Sequence, residues 1–362
     1  QAFGPFFDYA FIGESEVSWP LFLERYGNGK DISSIKGILF RNGSEIKFTG
    51  NSDTIYDVDS IPFPARHLLR TNKYKIGTLQ GIKTFATIMT TRGCPFQCIF
   101  CSTKVFGNRV RKRSPGLVVD EINSVISKFN IKHFIFLDDT LTLDKNYILQ
   151  LCDMINKEKI KITFEGSTRA NLIDEKLISR MAETGLIRIS FGLETVDAKM
   201  REIMRKEVPL ESYSIANRLT NKYGIETLNS VMIGMPGETV ETIKKTLSYL
   251  RNAREIHQAN CSIAMPYPGT ELFEMAKMGK YGLKLMTEDF SKFRRYGSAV
   301  MSVNNLSPAD LIRIQNDAFV NIYLAPWRII PMLKKSGVIS VFIMLFRVMK
   351  YIVRKIFGAS LI

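Results

Sequence analysis

The stretch FATIMTTRGCPFQCIFC, residues 85–101, sets three of the five cysteines of this chain directly after an apolar segment that reads as a buried strand. The thiols belong to Cys94, Cys98 and Cys101, in the pattern Cys-x3-Cys-x2-Cys. Three thiolates on one tight loop can bind three irons of a cluster and leave one iron open to a small molecule. A zinc site would need a fourth ligand, and the local sequence offers none. The pattern therefore favours an iron–sulfur site over zinc or a chance grouping of structural cysteines.

The other cysteines and the histidines do not extend this pattern. Cys152 falls on a predicted helix and Cys261 in a predicted strand, so both are expected to be small buried side chains. The histidines follow no ligand spacing and are expected at the surface or in packing; they are His67, His133 and His257. Five cysteines in 362 residues make no disulfide framework. They fit a reducing compartment, so we expect a cytoplasmic protein.

The composition limits the class of protein. The chain is 45% hydrophobic and 23% charged, which predicts packed globular structure, and its length suits about two domains. A formal net charge of +15 would suit nucleic acid, an anionic membrane or an acidic ligand. No helix-turn-helix, zinc-finger or RNA-binding signature occurs, so a nucleic-acid partner is not expected. We interpret the excess charge as a solvated face together with a membrane-facing tail.

Strand patterns and helix patterns alternate through the middle of the chain. The predicted strands are residues 85–91, 133–139, 161–167, 186–194, 227–236 and 260–266. Helices follow most of them, including one capped by Asp144 and one that runs from Asp174 to Gly185. This repetition predicts parallel strands with right-handed crossovers. Six units are too few for an eight-stranded barrel, which leaves a partly open parallel barrel or an open doubly wound sheet.

Chemically distinctive residues follow each predicted strand. In strand order they are Cys94 to Cys101, Asp138 and Asp139, Arg169, Glu194, the turn Gly234 to Gly237, and residues 266–269. Polar loops rich in glycine and proline would explain any one of these but not all six. Ligands bind at the carboxyl ends of the strands in both candidate architectures, so we expect the functional site there.

CPFQCIFC, residues 94–101, resembles the cluster loop of the radical S-adenosylmethionine (radical SAM) enzymes, and the resemblance extends over residues 83–275. Further stretches resemble the cobalamin-binding branch of that family, which includes anaerobic magnesium-protoporphyrin ester cyclase and C-methyltransferases. They are FLDDTLTLD (136–144), TRANLIDEKLISRMAETG (168–185), RISFGLET (188–195), IGMPGET (233–239) and PYPGTEL (266–272).

The resemblance implies an α/β fold, a partial (β/α)6 TIM-like barrel. It implies a 4Fe–4S cluster held by the three cysteines, with SAM on the open iron. One electron would cleave SAM to a 5′-deoxyadenosyl radical that removes hydrogen from the substrate. The electron would come from a donor such as flavodoxin or ferredoxin.

The resemblance also implies roles for the strand-end residues. Asp138 and Asp139 match the segment that meets the SAM amino group. Arg169 would pair with the SAM carboxylate, for which a fork-shaped cation is suited, and Glu194 would accept hydrogen bonds from the ribose. Three more positions match SAM contacts: Phe100 would shield the cluster, and the turn with Gly234 and Pro236 would let the backbone approach SAM.

The first 28 residues resemble the last strand and helix of a Rossmann-like cobalamin-binding domain. DYAFIGESE (8–16) would end with Gly13 and Glu14 facing the cobalamin, and VSWPLFLERYGNG (17–29) would form the helix. We therefore expect an N-terminally truncated chain whose complete protein binds cobalamin. The alternative is a small β-hairpin that caps the barrel.

An apolar run near the carboxyl end, VISVFIMLF (338–346), stops at Arg347. Nine residues cannot span a bilayer, which needs about 20. Over residues 336–357 the pattern suits a helix in a membrane interface or a helix packed on the barrel or on another subunit. The first arrangement would suit an enzyme whose small-molecule substrate is lipid-like or a tetrapyrrole.

Together these observations divide the chain into a cobalamin-domain remnant (1–60), a linker (61–84), a radical SAM barrel (85–285) and a helical extension (286–362). The expected activity is methyl transfer to an unactivated carbon, or oxidative cyclisation. One alternative is a radical SAM methylthiotransferase, which predicts a second cysteine set and an RNA-binding domain. The other is a non-catalytic protein with a structural metal, which predicts a fourth protein ligand.

Overall fold

The structure is a computed structural model that describes residues 6–78, 80–102 and 105–323, together with 325, 327, 328, 346 and 349. Its amino-terminal unit is an antiparallel sheet in the order β1-β2-β3, packed on one helix. Phe22 of the helix and Ile38 of the middle strand are buried together. The elements are β1 (Tyr9–Phe11), α1 (Ser18–Gly27), β2 (Ile38–Asn42) and β3 (Glu45–Phe48). The strand and helix expected in residues 1–28 are present; their origin as a cobalamin-domain remnant stays a prediction.

A seven-stranded sheet forms the centre of the molecule, and its strands follow the order β12-β11-β10-β9-β8-β5-β4. All neighbours pair in parallel except β4 and β5. The strands are β4 (Lys75–Thr78), β5 (Gly81–Ile88), β8 (His133–Phe136), β9 (Thr163–Thr168), β10 (Leu186–Glu194), β11 (Glu226–Ile233) and β12 (Gln258–Ile263).

The strand order distinguishes the two architectures left open by the sequence. Each parallel strand is added beside its predecessor, and right-handed crossovers then place every connecting helix on the same face. A doubly wound sheet would need a reversal of strand order. The sheet is therefore a curled half-barrel, and the predicted partial barrel is confirmed. The helices are α2 (Pro115–Phe129), α3 (Lys145–Lys157), α4 (Glu175–Thr184), α5 (Ala198–Ile203), α6 (Leu210–Lys222) and α7 (Val240–Asn252).

Local capping explains where these helices begin and end. The Asp144 carboxylate accepts the Tyr147 amide at 3.0 Å and begins α3, and Asp174 accepts the Leu177 amide at 2.9 Å and begins α4. Gly185 ends α4 with φ +113°, a conformation that suits glycine. Strand β4 was not predicted, because this short edge strand has only four residues and no clear alternation of apolar and polar side chains.

The two faces of the sheet differ in character. Phe134 and Phe164 are buried between the convex face and the helices. The alternate residues face the inside of the half-barrel, where Ile135, Ser167 and Ser190 line a cavity. The concave face thus remains open to a ligand.

The carboxyl-terminal region begins with α8 (Glu271–Lys277), the antiparallel pair β13 (Leu283–Leu285) and β14 (Met301–Val303), and α9 (Pro308–Tyr323). Helix α9 packs on β12 and α7. The expected helical extension therefore also contains a hairpin strand. The predicted interface helix, residues 336–357, lies outside the described residues apart from Phe346 and Met349. Within the described part of the chain, every helix is too short or too polar to cross a membrane.

Candidate active site

The cluster loop, residues 93–110, leaves the sheet after β5 and returns beside its own start. Its base is a two-stranded antiparallel ribbon, β6 (Thr91–Arg92) and β7 (Arg111–Lys112). Gly93 has φ +92°, and a Cβ there would collide with the carbonyl oxygen of Arg109. The loop therefore closes tightly just before its first cysteine.

The structure places the three predicted cluster ligands on this loop at the carboxyl ends of the strands. Cys94 is buried, with Sγ 3.8 Å from Thr140 Oγ1. Cys98 is partly exposed, and its Sγ lies 3.8 Å from the Arg205 carbonyl. The Cys101 amide donates to the Cys98 carbonyl at 3.1 Å.

No group of three or more His, Cys, Asp or Glu side chains among the described residues is arranged around a single metal ion. Ligands of one tetrahedral zinc ion sit about 2.3 Å from a common centre and contact one another. Thiolates that bind separate irons of a cluster lie further apart. Three thiols on one tight loop match the ligand set of a cluster that leaves one iron open.

Arg169 lies next to this loop, and part of its guanidinium group has no hydrogen-bond acceptor. Its side chain is buried, and its Nε and Nη2 atoms have no hydrogen-bond partner. Its guanidinium carbon lies 3.6 Å from the centre of the Phe96 ring, which the cluster loop contributes. Buried donors without acceptors are costly, so the site suits a carboxylate that accepts from both nitrogens. The sequence missed the stacking role of Phe96.

Glu194 ends β10 beside a lysine that the sequence analysis did not single out. Both Glu194 and Lys206 are buried, with Nζ 3.4 Å from Oε1. Glu194 has φ +62°, after a register shift between Gly192 and Glu194. Burial raises the pKa of the Glu194 carboxyl, and Lys206 opposes that shift. Lys206 lies twelve residues further along the chain, so only the fold reveals the pair.

Arg169, Glu194 and Lys206 each lie close enough to Cys98 to act electrostatically on its thiol. Burial raises the pKa of the Cys98 thiol, whereas Lys206 and Arg169 lower it. The structure thus brings together a cluster ligand, the predicted carboxylate-binding arginine and the predicted ribose-binding glutamate.

The turn after β11 is held open by a buried acid. Glu238 accepts hydrogen bonds from the Gly234 amide and, at 3.1 Å, from the Met235 amide. Burial raises the pKa of Glu238 to about 8. Gly234 has φ +84°, and Pro236 is buried in the same turn. Glu238 lies inside the quoted motif IGMPGET, yet its supporting role appears only in the structure.

Asp138 contacts the residues at which the cluster loop begins. Its carboxylate accepts hydrogen bonds from the amides and hydroxyls of Thr90 and Thr91, the hydroxyls both at 2.6 Å. It therefore fixes the start of the cluster loop. Asp139 is exposed, and desolvation raises its pKa. A contact between this segment and the SAM amino group stays a prediction.

The remaining predicted positions are dispersed. Phe100 is partly buried against the core below the loop. Gly13 follows β1 with φ +83°, and a Cβ there would collide with the Ser52 hydroxyl. The Glu14 carboxylate is buried and pairs with Arg92 and Arg111 at 2.8 and 2.6 Å. Both oxygens are therefore occupied by protein, and a cobalamin contact at Gly13 and Glu14 stays a prediction.

Two cavities lie beside the strands that precede the predicted site. One of about 290 Å³ lies on the concave face, between β8, β9 and β10 with Ile76 of β4 at its edge. The other, about 240 Å³, lies between residues 58–66 and the end of β5. Leu137, which is half exposed, lines both cavities. Of the predicted SAM positions, Asp138 lines the cavity on the concave face.

Comparison with known proteins identifies the family. The radical SAM superfamily profile matches residues 88–250. An uncharacterized methyltransferase of Pyrococcus horikoshii is 30% identical over 89% of this chain and 68% of its own. This chain belongs to the radical SAM superfamily. The anaerobic magnesium-protoporphyrin IX monomethyl ester cyclases of Cereibacter sphaeroides and Rubrivivax gelatinosus are 28% and 27% identical over 81% and 85% of the chain. The chain spans about half of their length, 48% and 55%.

Solved structures share the fold. The radical SAM methyltransferase TsrM from Kitasatospora setae, with cobalamin and a [4Fe-4S] cluster bound, superposes with a TM-score of 0.63 at 18% identity; the match covers 85% of this chain and 62% of TsrM. The cobalamin-dependent enzyme OxsB in its apo form gives 0.66 at 17% identity, covering 86% and 50%. The predicted membership in the radical SAM superfamily and the predicted barrel are confirmed. Membership in the superfamily implies a 4Fe–4S cluster and SAM as cofactors.

Proposed function

We propose that this radical SAM protein uses cobalamin and modifies an unactivated carbon of a small molecule, by methyl transfer or by oxidative ring closure. The observation that carries the SAM site is Arg169, a buried guanidinium with two unpartnered nitrogens beside Cys98 and Glu194. The matched relatives named as methyltransferases and cyclases support the two outcomes.

Each residue of the site has a distinct task in this proposal. Cys94, Cys98 and Cys101 would hold the cluster, which when bound supplies the electron that cleaves SAM. Arg169 binds the SAM carboxylate, and its stacking on Phe96 fixes the plane of the guanidinium fork. Glu194, oriented by Lys206, accepts hydrogen bonds from the ribose hydroxyls.

Other residues support these contacts from behind. Glu238 shapes the turn with Gly234 and Pro236, so that its backbone can approach SAM closely. Asp138 anchors the start of the cluster loop. Phe100 would shield the cluster, and Asp139 would lie near the SAM amino group.

Cobalamin is assigned to the side of the amino-terminal unit. The fold likeness to cobalamin-bound TsrM and OxsB supports this assignment. Because both oxygens of Glu14 contact arginines, the backbone around Gly13 is the part of this strand end that would face the cofactor.

The substrate is an uncharged or weakly charged small molecule in the two cavities. The acids that line the concave cavity already have partners: Glu165 pairs with Arg188, and Asp138 contacts Thr90 and Thr91. Apolar walls at Ile135 and Leu137 suit a lipid-like or tetrapyrrole-like molecule. The electron would come from a donor such as flavodoxin or ferredoxin, and cytoplasmic location with membrane contact through residues 336–357 stays a prediction.

Anaerobic reconstitution with iron and sulfide tests the proposal. After SAM and dithionite are added, 5′-deoxyadenosine is measured by mass spectrometry. Wild type should be brown and form 5′-deoxyadenosine, and Cys98→Ala should lose at least 99% of that product. Cys152→Ala is the matched control, because its thiol is buried in α3. A colourless wild-type protein that binds zinc and forms no 5′-deoxyadenosine would overturn the proposal.

A further inference from the structure

Two arginines stand directly opposite each other at the base of the cluster loop. Arg92 of β6 and Arg111 of β7 are paired in register. Their side chains are 15% and 3% exposed, so water screens their charges poorly. Like charges directly opposite on paired strands are destabilising. Closing the loop at this point therefore requires an anion.

The anion comes from a distant part of the chain. Glu14, which follows β1 of the amino-terminal unit, is only 3% exposed. Its Oε1 accepts a hydrogen bond from Arg92 Nη1 at 2.8 Å, and its Oε2 accepts one from Arg111 Nη1 at 2.6 Å. The Ile55 amide donates to Oε2 at 3.1 Å. One carboxylate thus joins both strands of the ribbon.

The same arginines also reach the loop itself. Arg111 Nη2 donates to the Phe106 carbonyl at 2.8 Å, and Arg92 lies 5.1 Å from the centre of the Phe106 ring. Phe106 belongs to the returning half of the loop, after Cys101. The contacts of Glu14 therefore extend through the arginines to both sides of the cysteine segment.

A neighbouring acid provides a contrast. Glu16 pairs with Arg92 Nη2 at 2.5 Å, but it is 34% exposed and its salt bridge involves Arg92 alone. Without Glu14, the buried Arg111 would have no carboxylate among the salt bridges of the described residues. A buried charge that loses its partner is strongly destabilising.

We propose that Glu14 is a positioning residue that closes the base of the cluster loop and makes the order of residues 93–102 and 105–110 depend on the amino-terminal unit. A ligand or domain that moves the strand end at Gly13 would then act on the cysteines through Arg92 and Arg111. The identity of the group that the loop binds, an iron–sulfur cluster, comes from the proposed function. The role of Glu14 in closing the loop does not depend on it.

The test measures amide hydrogen exchange in the iron-free protein. Glu14→Gln keeps the shape but removes the charge, and exchange across residues 93–110 should rise at least tenfold, while β9 and β10 stay within twofold of wild type. After reconstitution and gel filtration, iron and sulfide per chain should fall by more than half. Glu14→Asp keeps the charge but is one methylene too short to hold both arginines, so it should give an intermediate rise.

Two controls separate this role from general loss of stability. Glu16→Gln should change exchange in residues 93–110 by less than threefold. Glu165→Gln removes a buried carboxylate of β9 that pairs with Arg188 and has no contact with Arg92 or Arg111, and it should leave the loop unchanged. Wild-type exchange at 93–110 in Glu14→Gln, or a rise shared equally by β9 and β10, would overturn the proposal. Because the hydrogen-exchange measurement uses neither iron nor SAM, its result stands apart from the 5′-deoxyadenosine assay.

Discussion

At the scale of the residue, the Arg169 guanidinium is buried on the Phe96 ring with two nitrogens that lack an acceptor. A lysine there would place a single charge where a planar fork is needed. We predict that Arg169→Lys lowers SAM affinity at least tenfold, about 1.4 kcal/mol, while iron content stays at the wild-type level. Equilibrium dialysis of SAM against reconstituted protein measures this. Arg180→Lys, an exposed change on α4, should bind SAM as wild type does; equal affinity in both variants would contradict the role.

At the scale of the element, Gly185 ends α4 and leads directly into β10. It has φ +113°, and a Cβ would collide with the Ile162 carbonyl oxygen. Gly185→Ala therefore combines a left-handed backbone with a clash, and we predict a loss of more than about 2 kcal/mol in the free energy of unfolding. Gly224→Ala is the matched control: Gly224 has φ +69°, but its Cβ would enter open space. It should cost only about 1 kcal/mol in urea unfolding; equal losses would contradict the clash.

At the scale of the whole molecule, Arg188 connects strands of the curled sheet that are not neighbours. From β10 it pairs with Glu165 and donates to the Gly77 carbonyl of β4 at 3.3 Å, across β9, β8 and β5. Arg188→Met removes this tie and leaves Glu165 buried with His133 as its neighbour. We predict a loss of about 3 kcal/mol in the free energy of unfolding at pH 7.

The pH dependence of that loss follows from Glu165. Burial opposes ionisation of Glu165, but His133 and Arg188 hold its pKa below the ordinary value. Because the pKa of Glu165 is lower in the folded state, its ionised carboxylate stabilises the folded protein at pH values above the unfolded pKa near 4.5. This stabilisation is lost as the pH falls through the folded pKa. The difference between wild type and Arg188→Met should therefore shrink below about pH 4.5. Urea unfolding from about pH 3 to about pH 8 measures it, and a pH-independent difference would contradict the assignment.

The sequence by itself determined those features that are written in local patterns. The spacing of Cys94, Cys98 and Cys101 identified the cluster loop, and side-chain caps and periodicity located α3, α4 and the six parallel strands. Arg169 and Glu194 could be named because strand ends in parallel sheets converge. Each of these patterns extends over only a few residues, so it can be recognised without knowledge of the fold.

The tertiary structure decided what depends on contacts between distant residues. The choice of a half-barrel over a doubly wound sheet needed the strand order. Lys206 behind Glu194 and Phe96 beneath Arg169 emerged only once the strand ends met. Glu14 reads in sequence as a ligand-facing acid, yet in the fold it neutralises two arginines about 80 and 100 residues away. The role of a buried charge depends on the partner that lies next to it in the fold. That partner can be distant along the chain, so the local sequence does not reveal it.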